Sequence, residues 1–435
     1  MTTDRYQTAL DELNNSFAAF HKVGSKAYDP GLSVPLLLDE AFGHPSRGFR
    51  SIHVGGTNGK GSTAHTLAAI LSAAGYKTGL FTSPHLIDFR ERMRIDGKMI
   101  PRERVVDFID RWKALNLPIV PSFFEITTAM AFDWFATEKV DIAVIEVGLG
   151  GRLDSTNIIT PELSVITNIS LDHTALLGST EPKIAAEKAG IIKPGIPAVI
   201  GEAEGDVRAV FEEKGRKAGA PVIFASDLDA VRVSELYPDG SPVYSTPFGT
   251  FHAQLSGECQ HRNAATIIAS LLSLRKLGFS IADKAVAEGF GHVCELTGLA
   301  GRWMRISDSP LVIADTGHNI GGWRHIAPRL ATMTGVKNMV IGFVSDKDTA
   351  PVFSLMRSIP DARLLITQAS TPRATPAETL AEAARNAGLD VAGVFTSVTD
   401  AYKKALAACG ESDMVFVGGS TFVVADLLEH LQARD

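Results

Sequence analysis

The chain has 435 residues but only three cysteines, Cys259, Cys294 and Cys409. They are too few and too far apart for a disulfide framework or a zinc-ligand spacing, which points to a reducing cytoplasm. No apolar run reaches the roughly 18 residues of a membrane span. The opening residues 1–6 lack the apolar core of a signal peptide. Positive charge is also in short supply. Lys and Arg number 42 against 49 Asp and Glu, a net charge of −7 that argues against non-specific nucleic-acid binding. Internal repeats, low-complexity tracts and an evident assembly segment are missing too, so a monomer is expected. The content is 45% hydrophobic and 21% charged, ordinary for a globular protein with a full core. The length predicts two or three domains.

Apolar runs at 49–54, 77–81, 141–147, 163–167 and 197–200 read as strands. Helical patterns lie between them, and helical spacing also covers 6–20 and 34–42, with a loop over 22–31. Strands alternating with helices predict an α/β fold with a mostly parallel sheet covered on both faces. A second block has strands expected at 311–314, 338–343, 362–367 and 414–417. It reads as a smaller Rossmann-like α/β unit. The expected domains are therefore 1–297 and 298–435, with the glycine-bearing segment before Arg302 as a hinge.

The most informative stretch is Gly56-Thr57-Asn58-Gly59-Lys60-Gly61-Ser62. It follows a strand pattern and precedes a helical one, which is the layout of a phosphate cradle. Glycines let backbone N–H groups approach an anion, and the helix N-terminus adds partial positive charge. Lys60 is placed for the β/γ-phosphates, and Ser62 or Thr63 for phosphate or magnesium. Gly61 separates Lys60 from Ser62, a departure from the usual lysine-then-hydroxyl order. Ligands of such sheets bind beyond the carboxyl ends of the strands. Ser83, Glu146 and His173 all follow or end strands there. A carboxylate, a hydroxyl and an imidazole suit a magnesium site completed by water and phosphate. Glu146 stands inside an apolar run, where a buried carboxylate needs a partner. Taken singly, Ser83 also fits a mere Ser-Pro turn, His173 a satisfied loop histidine, and Lys188 a surface lysine on a helix started by Thr180 and ended by Gly190.

These segments occur in a recognisable order together with Glu187-Lys188-Ala189-Gly190, Gly301-Arg302 and Asp315-Thr316-Gly317-His318-Asn319. The whole resembles the Mur ligase superfamily, and within it the folylpolyglutamate synthase and dihydrofolate synthase branch. The run Glu146-Val147-Gly148-Leu149-Gly150-Gly151-Arg152-Leu153-Asp154 carries that narrower likeness, as does Gly61.

The resemblance implies that Thr57, Asn58, Gly59, Lys60, Gly61 and Ser62 hold the ATP triphosphate. It implies Ser83, Glu146 and His173 as Mg²⁺ ligands, and Lys188 as a lysine carboxylated to a carbamate that binds a second Mg²⁺. Asn263, in a segment with Gln260, lies near the nucleotide by the same likeness. Arg302 and Asp315 match nucleotide contacts supplied by the second domain. His318 matches a residue near the incoming L-glutamate, and Ser420 belongs with it. For the pterin end, Ser122, Phe123, Phe124 and Glu125 match a segment that stacks an aromatic ring, with Phe124 the natural face. A core aromatic pair is the plainer reading of Phe123 and Phe124. Leu153, Asp154 and Ser155 match the residues that hydrogen-bond the heterocycle. Ser155 departs from the alanine common at that position.

The implied reaction is ATP-dependent amide formation through an acyl phosphate, with dihydropteroate or a reduced folate as acceptor. The competing readings are a cell-wall-precursor ligase of the same superfamily and a nucleotide-binding protein without catalysis.

Overall fold

The computed structural model describes residues 3–17, 31–237 and 239–433. The loop expected over 22–31 lies almost entirely outside them, as does the end of the first expected helix, which is described as Thr3–Ser16.

The described residues form two compact units. One contains residues up to His85 together with Phe89–Leu299; the other contains Leu86–Asp88 together with the chain from Ala300 onward. The first holds β1 (Arg50–Gly55), β2 (Thr78–Phe81), β3 (Met93–Ile95), β4 (Lys98–Met99), β5 (Ile142–Glu146), β6 (Leu163–Ile166), β7 (Ala198–Ile200) and β8 (Val222–Phe224). They form one sheet in the order β4-β3-β2-β5-β1-β6-β7-β8. The pairs from β2 to β8 are parallel, and β3 and β4 join antiparallel at one edge. Side chains alternate faces along each strand. Ile52, Val54, Ile142, Val144, Leu163 and Val165 enter one core with the helices Lys60–Ala73 and Glu258–Lys276. Ala143 and Ile145 enter another, built largely on the helices Arg102–Leu115 and Phe123–Thr137. The centre of the sheet is thus buried on both sides, which is why its strands read as continuous apolar runs.

A short antiparallel sheet, β9 (Arg232–Leu236), β10 (Pro242–Thr246) and β11 (Gly249–His252), packs Tyr244 and Phe251 into the first core. Its pattern was not read in the sequence.

The second unit contains β12 (Met304–Asp308), β13 (Leu311–Asp315), β14 (Lys337–Ile341), β15 (Ala362–Ile366), β16 (Val391–Val394) and β17 (Met414–Gly418). Their order is β12-β13-β17-β14-β15-β16. All but the β12–β13 pair run parallel. Trp323, Phe353 and Leu380 fill one face, and Val398, Val424 and Leu427 the other. Leu86 and Ile87 pack against that second face. β12 and β16 are additions to the expected strands. Both carry charge or glycine (Met304-Arg305-Ile306-Ser307-Asp308 and Val391-Ala392-Gly393-Val394), as suits edge strands.

Candidate active site

The carboxyl ends of β1, β2, β5 and β6 are level, with Val54 opposite Glu146, Gly55 opposite Ile166 and Phe81 opposite Ile145. The glycine-rich loop leaves β1 there and enters the helix Lys60–Ala73. Its first i→i−4 bond runs from the Thr63 N–H to the Gly59 carbonyl at 2.9 Å. The N–H groups of Lys60, Gly61 and Ser62 therefore precede the helical ladder, as an anion cradle requires. Gly59 has φ +80°. A Cβ on it would sit 2.3 Å from Asn263 Oδ1, so glycine is needed on both counts.

Other segments fix the loop from the sides. The Thr57 N–H donates to the Asn168 carbonyl and the Asn58 N–H to Asn168 Oδ1, each at 2.9 Å. Thr167 donates its hydroxyl to the Asn58 carbonyl at 2.6 Å. Asn263 donates to Gln260 Oε1 at 2.9 Å, and Gln260 Nε2 donates to Ser62 Oγ at 3.3 Å. The segment expected near the nucleotide is thereby brought against the phosphate loop.

Two lysines converge on the same loop. Lys60 Nζ donates to the Thr57 carbonyl at 3.1 Å, and Lys188 Nζ to the Gly56 carbonyl at 2.8 Å. Lys188 is 4% exposed. It is not the surface lysine that its helix alone suggested; the helix Glu181–Lys188 ends by driving this side chain inward. Thr180 stands at the N-cap but makes no side-chain cap bond there. Burial first, and then the Lys60 charge, hold the Lys188 amine down to about 7, against the pull of Asp172 and Asp154.

Glu146 ends β5 and is 4% exposed. Its Oε2 accepts from the Ser83 N–H at 2.9 Å, so these two expected magnesium ligands do meet. His173 sits with φ +49°, and its N–H donates to Asp172 Oδ1 at 2.8 Å. Among the described residues no three His, Cys, Asp or Glu side chains gather into a metal cage. A carboxylate beside a serine fits a magnesium ion that takes few protein ligands and keeps water and phosphate.

Sequence reasoning missed Arg92. It is buried, lies 5.2 Å over the Phe123 ring, and donates from Nε to His85 Nδ1 at 2.7 Å. Burial lowers its pKa to about 10, with Glu146 and Glu91 opposing. Arg90 and Arg94 flank it, so nothing in the local pattern marks Arg92 as the interior one.

The residues expected at the pterin end divide by role in the fold. Ser122 and Glu125 form a capping box on the helix Phe123–Thr137, with the Ser122 N–H donating to Glu125 Oε2 at 2.6 Å. Phe123 is core, edge-on to Phe89. Phe124 is half-buried beside Phe81, and a Cβ on Gly148 would lie 2.4 Å from its ring. The turn after Leu153 is ordered by Asp154, whose Oδ2 accepts from the Leu149 N–H at 2.8 Å. Burial pushes the Asp154 carboxyl up, opposed by donors from Thr156, Leu149 and Gly148. Ser155 follows, buried.

In the second unit, Asp315 ends β13 and accepts from the N–H groups of Trp303 and Gly317, each at 2.7 Å. Burial pushes its carboxyl up, against Arg302 and those two N–H groups. Arg302 donates to Thr316 Oγ1 and to the Gly301 carbonyl. His318 Nδ1 lies 3.1 Å from the Thr316 carbonyl, which makes Nδ1 the protonated nitrogen. Ser420 is buried as the N-cap of the helix Thr421–Gln432, accepting from the Phe422 N–H at 3.1 Å. Arg302, Asp315 and His318 thus share one corner, and Ser420 follows the neighbouring strand β17.

Comparison with known proteins gives one consistent answer. The Mur ligase middle domain matches residues 54–271, and the Mur ligase glutamate ligase domain matches residues 301–421. The chain is 32% identical to the dihydrofolate synthase/folylpolyglutamate synthase of Escherichia coli, over 100% of this chain and 99% of that protein. It is also 32% identical to the Bacillus subtilis protein of the same name, over 93% and 95%. Among solved structures, E. coli FolC in complex with DHPP and ADP superposes with TM-score 0.84 at 32% identity, covering 99% and 98% of the two chains. Mycobacterium tuberculosis folylpolyglutamate synthase complexed with ADP gives TM-score 0.87 at 30% identity over the whole of both chains. With its phosphate loop, its two α/β units and this full-length likeness, the chain belongs to the dihydrofolate synthase/folylpolyglutamate synthase family of Mur ligases.

Proposed function

We propose that this chain joins L-glutamate to 7,8-dihydropteroate and to reduced folates, acting as a cytoplasmic monomer. The enzyme is an acid–amino-acid ligase that forms ADP. The observation that carries the reading is the level edge of β1, β5 and β6, where a phosphate loop, a buried carboxylate and a buried lysine meet.

The acceptor's carboxylate attacks the γ-phosphorus of ATP; the β–γ bridging bond breaks and ADP leaves. The resulting acyl phosphate is attacked at carbon by the α-amine of glutamate. The carbon–oxygen bond to phosphate breaks, and the amine gives up a proton. Lys60 and the N–H groups of Gly61 and Ser62 stabilise charge on the transferring phosphoryl group. Thr57, Asn58 and Gly59 shape the loop, and Asn263 closes it from the side. Magnesium, held by Ser83, Glu146 and His173, would neutralise phosphate charge when bound.

Lys188 is assigned as a carbamate. Its neutral amine is abundant near pH 7 and keeps one N–H for the Gly56 carbonyl. Addition of CO₂ releases a proton and leaves an anion suited to a second magnesium. Phe124 and Asp154, with Leu153 and Ser155, are assigned to the heterocycle. Arg302 and Asp315 are assigned to the nucleotide, and His318 and Ser420 to glutamate.

The test is ATP- and Mg²⁺-dependent phosphate release with L-glutamate, comparing 7,8-dihydropteroate with tetrahydrofolate. Release with both is expected; release with one restricts the enzyme to that activity, and release with neither overturns the reading. Incorporation of ¹³CO₂ gives a carbamate carbon signal in the wild type that disappears in Lys188→Ala. An unmodified Lys188 in active enzyme would remove the carbamate.

A further inference from the structure

β1 carries a polar residue at its centre that the proposed chemistry does not use. Ile52 and Val54 point into the core with the helix Glu258–Lys276. Alternation turns His53 to the other face, where it is 0% exposed. Its strand partners are Ile145 and Ser164. His53 Nε2 lies 2.8 Å from Thr156 Oγ1. The Thr156 hydroxyl donates to Asp154 Oδ1, the Thr156 N–H donates to the same oxygen at 3.0 Å, and the Leu149 N–H occupies one site on Oδ2.

The directions of these bonds follow from valence. The Asp154 carboxylate accepts, so the single hydroxyl proton of Thr156 goes to it. The threonine oxygen then accepts from His53, which fixes Nε2 as the protonated nitrogen and leaves Nδ1 bare. Nδ1 is buried and finds no hydrogen-bond partner. An unmet buried acceptor works against stability, and a phenyl ring of similar size would avoid it. The fold nevertheless keeps a donor at this position, aimed along Thr156 at Asp154.

We propose that His53 is a positioning residue for the acceptor substrate: through Thr156 it holds the Asp154 carboxylate in one orientation. Oδ1 is committed to Thr156, and Oδ2 accepts from the Leu149 N–H, with the Gly148 N–H a further donor to the carboxylate, so its orientation is held from both sides. A 2-amino-4-oxopteridine presents a ring N–H and an amino group, hydrogen-bond donors of the kind a carboxylate accepts. The proposal rests on the assignment of Asp154 to the heterocycle made above.

Steady-state kinetics on His53→Phe, Thr156→Val, Asp154→Ala and His53→Gln test it. His53→Phe and Thr156→Val should each raise the acceptor KM about tenfold, the size of one lost hydrogen bond, with the KM for ATP and for glutamate within about twofold. His53→Gln, which restores an N–H donor, should recover most of the loss. The double variant should be no worse than Thr156→Val alone, because the two residues act in series. An unchanged acceptor KM in His53→Phe, while Asp154→Ala raises it, would overturn the relay and leave the Asp154 assignment standing. An unchanged KM in Asp154→Ala would remove that assignment and the relay with it. Should His53→Phe fail to fold, ¹⁵N spectra of imidazole-labelled wild type decide the matter. Protonated Nε2 and bare Nδ1 are expected throughout about pH 5–9, and the opposite tautomer would refute the proposal.

Discussion

His53 and Lys188 are bases that burial has pushed toward neutrality, and each leaves a measurable trace. His53 is lowered to about 3 by burial first and Lys193 second. Between about pH 6.5 and 3 the unfolded chain protonates this residue and the folded chain does not, so its contribution to stability falls as pH falls through that window. Urea titrations at pH 7 and pH 4 should show the wild type losing ground to His53→Phe as the solution is acidified; a constant difference would mean that His53 is not buried neutral. In the proposed mechanism Lys60 acts through charge at the transferring phosphate. Lys60→Ala should reduce glutamate-dependent phosphate release by at least about a hundredfold, with folding unaffected. Near-normal turnover would remove the phosphate-loop assignment. The loop was legible because its information is local: glycines, lysine and hydroxyls within seven positions. Arg92 and His53 were not, because what distinguishes them is depth. Arg92 is one of three arginines in five positions, and its interior place depends on His85 and Phe123. The inward turn of Lys188 was not legible locally, since an eight-residue helix gives no sign of which end is driven inward.

At the scale of elements, several expected substrate residues also begin helices. Ser420 caps Thr421–Gln432, so Ser420→Ala should cost about 1 kcal/mol by the loss of the cap alone. Ser420→Asp keeps the cap and adds a negative charge. If Ser420 meets glutamate, the aspartate variant should retain stability in denaturant titration yet show a raised KM for glutamate. Equal KM values in the two enzymes would confine Ser420 to capping. The same division applies to Ser122 and Glu125, whose side chains bond each other's backbone. The long central strands were readable from their apolar runs, because a sheet buried on both faces writes itself plainly. The sheet β9–β11 was not, because β9 is exposed along its whole length and carries no alternation. Asp346, within the charged run Asp346-Lys347-Asp348, accepts from a mostly buried Arg373 at 2.6 Å. Its partner lies 27 residues away, beyond the reach of any local pattern.

At the scale of the whole molecule, each unit buries both faces of its own main sheet, and the chain enters the second unit twice. Leu86 and Ile87 leave the first unit directly after the turn that carries Ser83, and they pack against Val424, Leu427 and their neighbours. Ile87→Ser should therefore weaken the second unit by about 1 kcal/mol, the value of a partly buried aliphatic side chain. Hydrogen exchange should show faster opening of β13 and β17 with no change in β1 and β5; the reverse pattern would mean that the tripeptide stabilises the first unit instead. The sequence reading placed one boundary near residue 298 and had no means of seeing this early loan of three residues, since an isolated Leu-Ile pair beside a loop has no periodicity. The loan bears on how such a chain can be recombined. A gene segment that begins at Ala300 encodes a unit lacking part of its own core, so exchanging that segment between relatives also exchanges the surface that must accept the host's residues at 86 and 87. Chimaeras joined at residue 300 should succeed or fail according to what stands at two positions more than two hundred residues upstream.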